Sequence, residues 1–242
     1  MRVSASGWQR HGSGFERPYT GIEAMTTSNR YLEAAKDALF GELAHDVSDR
    51  RVLEAMRRIP REEFVPREEA QYAYENMPLP IGHRQTISQP LIVAMMTQAL
   101  MLSGSDKVLE VGTGSGYQAA LLSRLSAEVV TVERVPELAE AAAERLARLG
   151  YANVVVHAVT DELGWPECAP YDAIVVTAAS PEVPRQLLDQ LAMGGRLVLP
   201  VGSRDMQELV RIVKTPEGAL RHNLGPCRFV PLLGRDAWPT SR

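Results

Sequence analysis

Three glycines at alternate positions, Gly112, Gly114 and Gly116, directly follow a short apolar run that carries one carboxylate, Val108-Leu-Glu-Val111. The run predicts a buried parallel strand. Behind the glycines, Gln118-Ala-Ala-Leu-Leu-Ser-Arg-Leu125 returns to helical spacing, with Leu121, Leu122 and Leu125 on one face. Strand, glycine loop and helix let a backbone approach a nucleotide-like ligand closely, where a Cβ would stand in the way. The spacing narrows the choice of ligand. A dinucleotide fingerprint needs a glycine where this chain has Tyr117, and a phosphate loop needs a Gly-Lys-Ser/Thr that is absent. Gly-x-Gly-x-Gly after an acidic strand remains, the form that suits S-adenosylmethionine, which carries no phosphate. Glu133 closes the next apolar run, Val129-Val-Thr-Val132, about where an acid would accept the ribose hydroxyls. The expected cofactor contacts here are Gly112, Thr113, Gly114, Gly116 and Glu133.

Elements that could hold such a loop recur along the chain. Residues 1–27 are rich in Gly, Ser, Thr and Arg without a period and read as a flexible extension, with Trp8, Phe15 and Tyr19 as its apolar exceptions. Ser28 is a candidate cap for a helix with Leu32, Ala35, Leu39 and Leu43 on one face. A second helix with Val52, Leu53, Met56 and Ile59 ends at Pro60. Residues 60–90 are proline-rich and irregular, a suitable place for substrate-binding parts ahead of the core. A helix is expected over Pro90–Leu102 with Leu91, Met95 and Leu102 inward, and Ser88 just before it reads as its N-cap. Strand 128–133, a helix from Pro136 to Leu149 closed by Gly150, strand 154–159 and a central run Tyr171–Ala179 follow. Helix 182–192, strand 196–201 and a hairpin of 208–214 with 219–233 complete the pattern. Alternating β and α with short connections predicts a doubly wound, Rossmann-like α/β fold with an antiparallel terminal hairpin. One domain is expected over 28–242, with helical and substrate-binding parts in 28–104 and the cofactor-binding core in 105–234.

Composition excludes several classes. With 242 residues and a net charge of −4, the chain has no electrostatic grip on nucleic acid or on an acidic membrane. The longest apolar stretch, Leu91–Leu102, is broken by Thr97 and Gln98 and is too short to span a bilayer. Cys168 and Cys227 are far apart, which fits a reducing cytoplasm, and scattered histidines give no metal-ligand spacing.

Four segments together carry a resemblance: Pro80-Ile-Gly-His-Arg-Gln-Thr-Ile-Ser-Gln-Pro90, Val108–Gln118, Tyr171–Ala179 and Arg228-Phe-Val-Pro-Leu232. They closely resemble protein-L-isoaspartate O-methyltransferases over about residues 48–234. The resemblance implies a seven-stranded class I methyltransferase that methylates the α-carboxylate of L-isoaspartyl and D-aspartyl residues in damaged proteins, starting repair through a succinimide. It implies Ser88 as the active-site residue, with Gln85, Thr86, Ile87 and Ser88 along the cofactor. His83, Arg84, Val230 and Pro231 would lie on the substrate side. The chain departs from the family at two points: Arg84 stands where glycine is common, and Val159-Thr160-Asp161 replaces a usual Gly-Asp-Gly whose carboxylate contacts the adenine. Thr160 and Asp161 are both candidates for that contact, Asp161 the favoured one.

The chemistry suits these residues. A carboxylate is ionised at neutral pH, so its attack on a sulfonium methyl needs orientation more than a general base. Positioning of this kind supplies about 7–11 kcal/mol. Competing readings are a peptide-tailoring aspartyl or isoaspartyl carboxyl methyltransferase, a degenerate S-adenosylmethionine-binding protein, and, weakly, a dehydrogenase. The oligomeric state is not legible from sequence.

Overall fold

The computed structural model describes residues 21–160, 162–234 and 237–238, with side chains from residue 30 onward. Trp8, Phe15, Tyr19 and Asp161 lie outside the described residues. Helix α1 spans Gly21–Leu43, so Ser28 lies inside it and is not its cap. Once a helix is nucleated, extension costs little, and Glu23-Ala24-Met25 propagates it well. Helix α2, Arg50–Arg57, is capped by Asp49, whose side chain accepts the Arg51 N–H. Strands β1 (Leu79–Gly82) and β2 (Gln85–Ile87) pair antiparallel as a separate hairpin. Helix α3 covers Pro90–Ala99.

The main sheet contains β3 (Lys107–Val111), β4 (Glu128–Glu133), β5 (Val154–Ala158), β6 (Tyr171–Val176), β7 (Leu191–Gly202), β8 (Gln207–Thr215) and β9 (Gly218–Cys227). Their order is β5-β4-β3-β6-β7-β8-β9; pairs from β5 to β7 are parallel, and β8 and β9 join antiparallel. Helices α4 (Tyr117–Ser123), α5 (Pro136–Arg148) and α6 (Arg185–Gln190) make the crossovers. Adjacent residues of β3 serve opposite faces. Val108 belongs to a core with α1–α4, and Leu109 to a second core with Leu187 of α6. Both are fully buried, each contributing about 1.5–3 kcal/mol.

Several boundaries and faces differ from expectation. In α3 the buried residues are Pro90, Val93, Ala94, Met96, Thr97 and Ala99, while Leu91 and Met95 are only half-buried. The helix is wedged between two neighbours, so its buried arc is wider than one stripe and rotated from it. Strand β6 stops at Val176, because Thr177 turns its hydroxyl back onto the Val111 and Gly112 carbonyls. Helix α6 is shorter than 182–192, and β7 begins at Leu191, running through Gly194 and Gly195 with an irregularity in its pairing to β6. Strand β9 ends at Cys227, and residues 230–232 instead cross to Ala179, whose N–H donates to the Val230 carbonyl at 2.8 Å.

Order reverses at β3, whose chain continues to β4 on one side while β6 lies on the other. A crevice outside the carboxyl ends of the strands at such a switch point is the natural ligand position of an open α/β sheet.

Candidate active site

A cavity of about 390 Å³ occupies that crevice. Its floor comes from the residues that end β3, β4, β5 and β6: Gly112–Ser115, Glu133, Thr160 and Thr177. The glycine loop is held from several sides. Gly112 N donates to the Val132 carbonyl at 2.9 Å, Gly116 N to the Thr113 carbonyl at 2.8 Å, and Arg145 Nη1 to the Ser115 carbonyl at 2.8 Å. Glu133 ties the loop to the next strand. Its Oε2 accepts the Gly114 N–H at 2.8 Å, and its Oε1 accepts those of Arg134 and Val135 at 2.8 and 2.9 Å.

Glu110 forms a second carboxylate wall that sequence reasoning did not assign to the site. It is fully buried, lines the cavity, and accepts a 2.6 Å hydrogen bond from Thr131 Oγ1 on Oε2, while Oε1 has no partner. Thr113 Oγ1 lies 2.6 Å from Thr131 Oγ1 and, with the Thr131 proton directed at Glu110, acts as its donor. Burial pushes the Glu110 carboxyl up, the Thr131 hydrogen bond opposes this, and the Glu133 charge adds to it, leaving a pKa of about 8. A carboxylate inside a motif strand was the available signal, but its orphaned oxygen depends on packing.

This environment predicts a pH effect. Between the usual 4.5 and about 8 the unfolded chain releases a proton that the folded protein keeps. Stability therefore falls as pH rises through that window and levels off above it. Glu110→Gln is expected to flatten the decline in Tm from pH 5 to pH 8, the difference reaching a few kcal/mol at roughly 1.4 kcal/mol per pKa unit. Thermal melts of both proteins check this, and equal slopes would contradict the burial argument.

The comparisons with known proteins agree with this geometry. The family model described as protein-L-isoaspartate (D-aspartate) O-methyltransferase matches residues 34–237. The chain belongs to the protein-L-isoaspartate (D-aspartate) O-methyltransferase family. It is 54% identical over 196 residues to protein-L-isoaspartate O-methyltransferase 1 of Syntrophobacter fumaroxidans, covering 81% of this chain and 92% of that one. It is 55% identical over 195 residues to the protein-L-isoaspartate O-methyltransferase of Methanoculleus marisnigri, covering 81% and 89%. Among solved structures, one protein-L-isoaspartate O-methyltransferase superposes with a TM-score of 0.73 at 32% identity, over 84% of this chain and 67% of the other. A Plasmodium falciparum protein described as a member of the same family, solved with S-adenosyl-L-homocysteine, gives a TM-score of 0.69 at 25% identity, over 80% and 95%. The class I methyltransferase fold expected from the sequence is therefore shown.

The segments that carried the family resemblance converge on this one cavity. Gln85, Thr86, Ile87 and Ser88, from β2 and the turn into α3, form one wall, and Val230 and Pro231 another. Gly112, Thr113, Gly114, Glu133 and Thr160 complete the part that was expected. Gly116 does not line it. Its φ of 87° at the N-cap of α4 suits glycine, and a Cβ there would also meet Leu146 of α5 at 3.3 Å. His83 and Arg84 also stand outside the lining, exposed at the tip of the β1–β2 hairpin with φ of 50° and 59°.

Ser88 is not the N-cap of α3. Gln89 holds that position without a side-chain bond, and the free Leu91 N–H is met by Asn76 Oδ1 at 3.1 Å. Pro90 has no N–H to cap, and a residue distant in sequence supplies the next acceptor. The Ser88 side chain, half-buried on the cavity wall, is thereby released from a capping role.

Proposed function

We infer that this chain uses S-adenosylmethionine to methylate the α-carboxylate of L-isoaspartyl and D-aspartyl residues in damaged proteins and peptides, the first step of repair through a succinimide. The observation that carries this is the meeting of Ser88 and the glycine loop in one cavity, inside a chain of this family. The cavity fits the cofactor. The Glu133 carboxylate faces a cationic ligand, the Glu110 carboxyl adds an orphaned buried oxygen as a hydrogen-bonding group, and the glycine loop brings backbone against it. S-adenosylmethionine supplies an electrophilic methyl on a sulfonium.

The protein's part is binding and orientation. Glu133 accepts the ribose hydroxyls, Gly112 to Gly114 offer backbone, Gln85 to Ile87 cover the ligand, and Thr160 or Asp161 meets the adenine. Ser88 donates to the substrate carboxylate and fixes its direction of attack. Val230 and Pro231 close the substrate side, and Arg84 with His83 meets the peptide. Charge is neutralised as carboxylate and sulfonium react, so a dry site favours the step. Cytoplasmic location belongs to the same proposal and is supported by two free cysteines; no helix among the described residues is long and apolar enough to cross a membrane. Transfer of labelled methyl from S-adenosylmethionine to an isoaspartyl peptide tests the proposal.

Arg84 offers a test on the substrate side. Replacing it with glycine should raise KM for an acidic isoaspartyl peptide more than it lowers kcat, with a difference that shrinks in high salt. The same change relieves a left-handed non-glycine residue and should raise stability by about 1 kcal/mol. An unchanged KM at low salt would mean that Arg84 points away from the peptide.

The adenine contact is tested by placing a charge at position 160. A charged hydrogen bond is worth about 1.5–3 kcal/mol against about 1 for a neutral one. If Thr160 makes the contact, Thr160→Asp should tighten S-adenosylhomocysteine by about 1 kcal/mol, somewhat under tenfold. An unchanged Kd there, with a loss in Asp161→Ala, would move the adenine contact to Asp161.

A further inference from the structure

Arg61 is one of the least exposed residues in the protein, at 1%. It opens a short 3-10 turn, Arg61–Phe64, directly after Pro60. Its guanidinium joins three segments that are separate in sequence. Nε donates to the Ala73 carbonyl at 2.8 Å, and Nη2 donates to the Ser88 carbonyl at 3.0 Å. The third contact is a ring: Cζ lies 5.0 Å from the centre of Tyr117, the residue that follows the glycine loop and lines the cavity. Phe64, in the same turn, meets Tyr117 edge-on at 5.4 Å.

This is a costly arrangement for mere filling. A buried guanidinium loses its hydration, and among the described residues no carboxylate is ion-paired with it. Burial correspondingly holds its pKa below the usual value, opposed by the Tyr117 and Tyr74 hydroxyls, and Nη1 has no partner. An apolar side chain of similar volume would occupy the space without that cost. What only arginine provides is a planar fork that reaches two carbonyls at a fixed angle while its face rests on an aromatic ring.

We propose that Arg61 is a positioning residue for methyl transfer: by holding the Ser88 carbonyl and the Tyr117 ring on one rigid guanidinium, it sets the Ser88 hydroxyl relative to the glycine loop. Its two donors fix the backbone on either side of the β1–β2 hairpin. The Asn76 contacts, which take the Leu91 N–H at 3.1 Å and the Gln89 side chain at 2.9 Å, hold the following residues. Ser88 thus sits in a backbone fixed on both sides of its own side chain. Lysine keeps the charge but has no fork, so it cannot hold Ala73, Ser88 and Tyr117 together.

The inference rests on the reading of Ser88 as the residue that orients the substrate, and a double-mutant cycle tests it. Arg61→Lys, assayed on folded protein well below its Tm, should lower kcat at least tenfold and change the Kd for S-adenosylhomocysteine less than threefold. In a Ser88→Ala background the same change should cost less than twofold, because Arg61 acts through Ser88. Multiplicative losses, or an Arg61→Lys enzyme that is destabilised yet turns over normally, would overturn the inference and leave Ser88 as read. A fully active Ser88→Ala enzyme would remove the reading of Ser88 and this inference with it. If Arg61→Lys does not fold, the Arg61 Nε–H resonance of the wild-type protein decides: it should shift when isoaspartyl peptide joins the S-adenosylhomocysteine complex, and an unmoved resonance would overturn the proposal.

Discussion

Replacing Gly112 with alanine is expected to remove measurable cofactor binding and to lower Tm by about 10 °C. Gly112 has a φ of 100°, where a side chain is strained, and a Cβ there would collide with Thr177 Oγ1. Thr177 is not free to withdraw. Its hydroxyl donates to the Gly112 carbonyl at 2.7 Å and to that of Val111 at 3.1 Å, which fixes the end of β6 beside the loop. Backbone strain of about 1–2 kcal/mol and overpacking of about 1–3 kcal/mol act together. At about 2–4 °C per kcal/mol for a chain of this size, the shift in Tm follows. Relief by moving the loop would displace the backbone that approaches the ligand. Gly150→Ala is the control, since its φ is 80° but nothing lies within 4 Å of a Cβ there. It should lose stability through strain alone and keep its Kd for S-adenosylhomocysteine, as measured by calorimetry. Equal binding by both variants would contradict the placement of the cofactor on this loop.

Ser88→Ala should lower kcat by about 100-fold while leaving Tm within a few degrees. The small stability effect follows because Gln89, not Ser88, stands at the N-cap of α3, and Asn76 satisfies the helix. The large effect on turnover follows from orientation. Negative charge disappears from the carboxylate as the methyl arrives, so a donor to that carboxylate does not stabilise the transition state over the ground state. Its value lies in aligning oxygen, carbon and sulfur, and a misplacement of about 1 Å can cost about 100-fold. Initial rates and melts on the same preparations separate the two effects. A loss of stability with full turnover would return Ser88 to a structural role.

The parts of the site that were legible in the sequence are those fixed by local chemistry. The β3 strand, the alternate glycines and Glu133 could be read because both faces of a parallel strand are buried and because only glycine suits the loop. Other features depend on residues far apart in the chain. Ser88 matched a capping pattern, yet Asn76 does the capping from beyond the hairpin. Gly116 belonged to the glycine pattern, but its constraints are a φ of 87° and the approach of Leu146 on α5, not the ligand. Glu110 was visible as a charge in an apolar run, whereas its orphaned oxygen and raised pKa follow from burial beside Glu133. Arg61 gave no local signal, because its partners lie at Ala73, Ser88 and Tyr117. The strand boundary at Leu191 was obscured by Gly194 and Gly195, which usually mark a break but here lie inside β7.

Substrate choice separates repair of isoaspartyl residues from modification of ordinary aspartate. The enzyme should be given labelled S-adenosylmethionine with two peptides that differ only in one residue, L-isoaspartate or L-aspartate, each at a concentration below its KM. The isoaspartyl peptide should be methylated stoichiometrically, with kcat/KM at least a hundredfold lower for the aspartyl peptide and succinimide appearing as the ester decays. Preferential methylation of the aspartyl peptide, or binding of S-adenosylmethionine with no transfer to either, would contradict the proposed repair function.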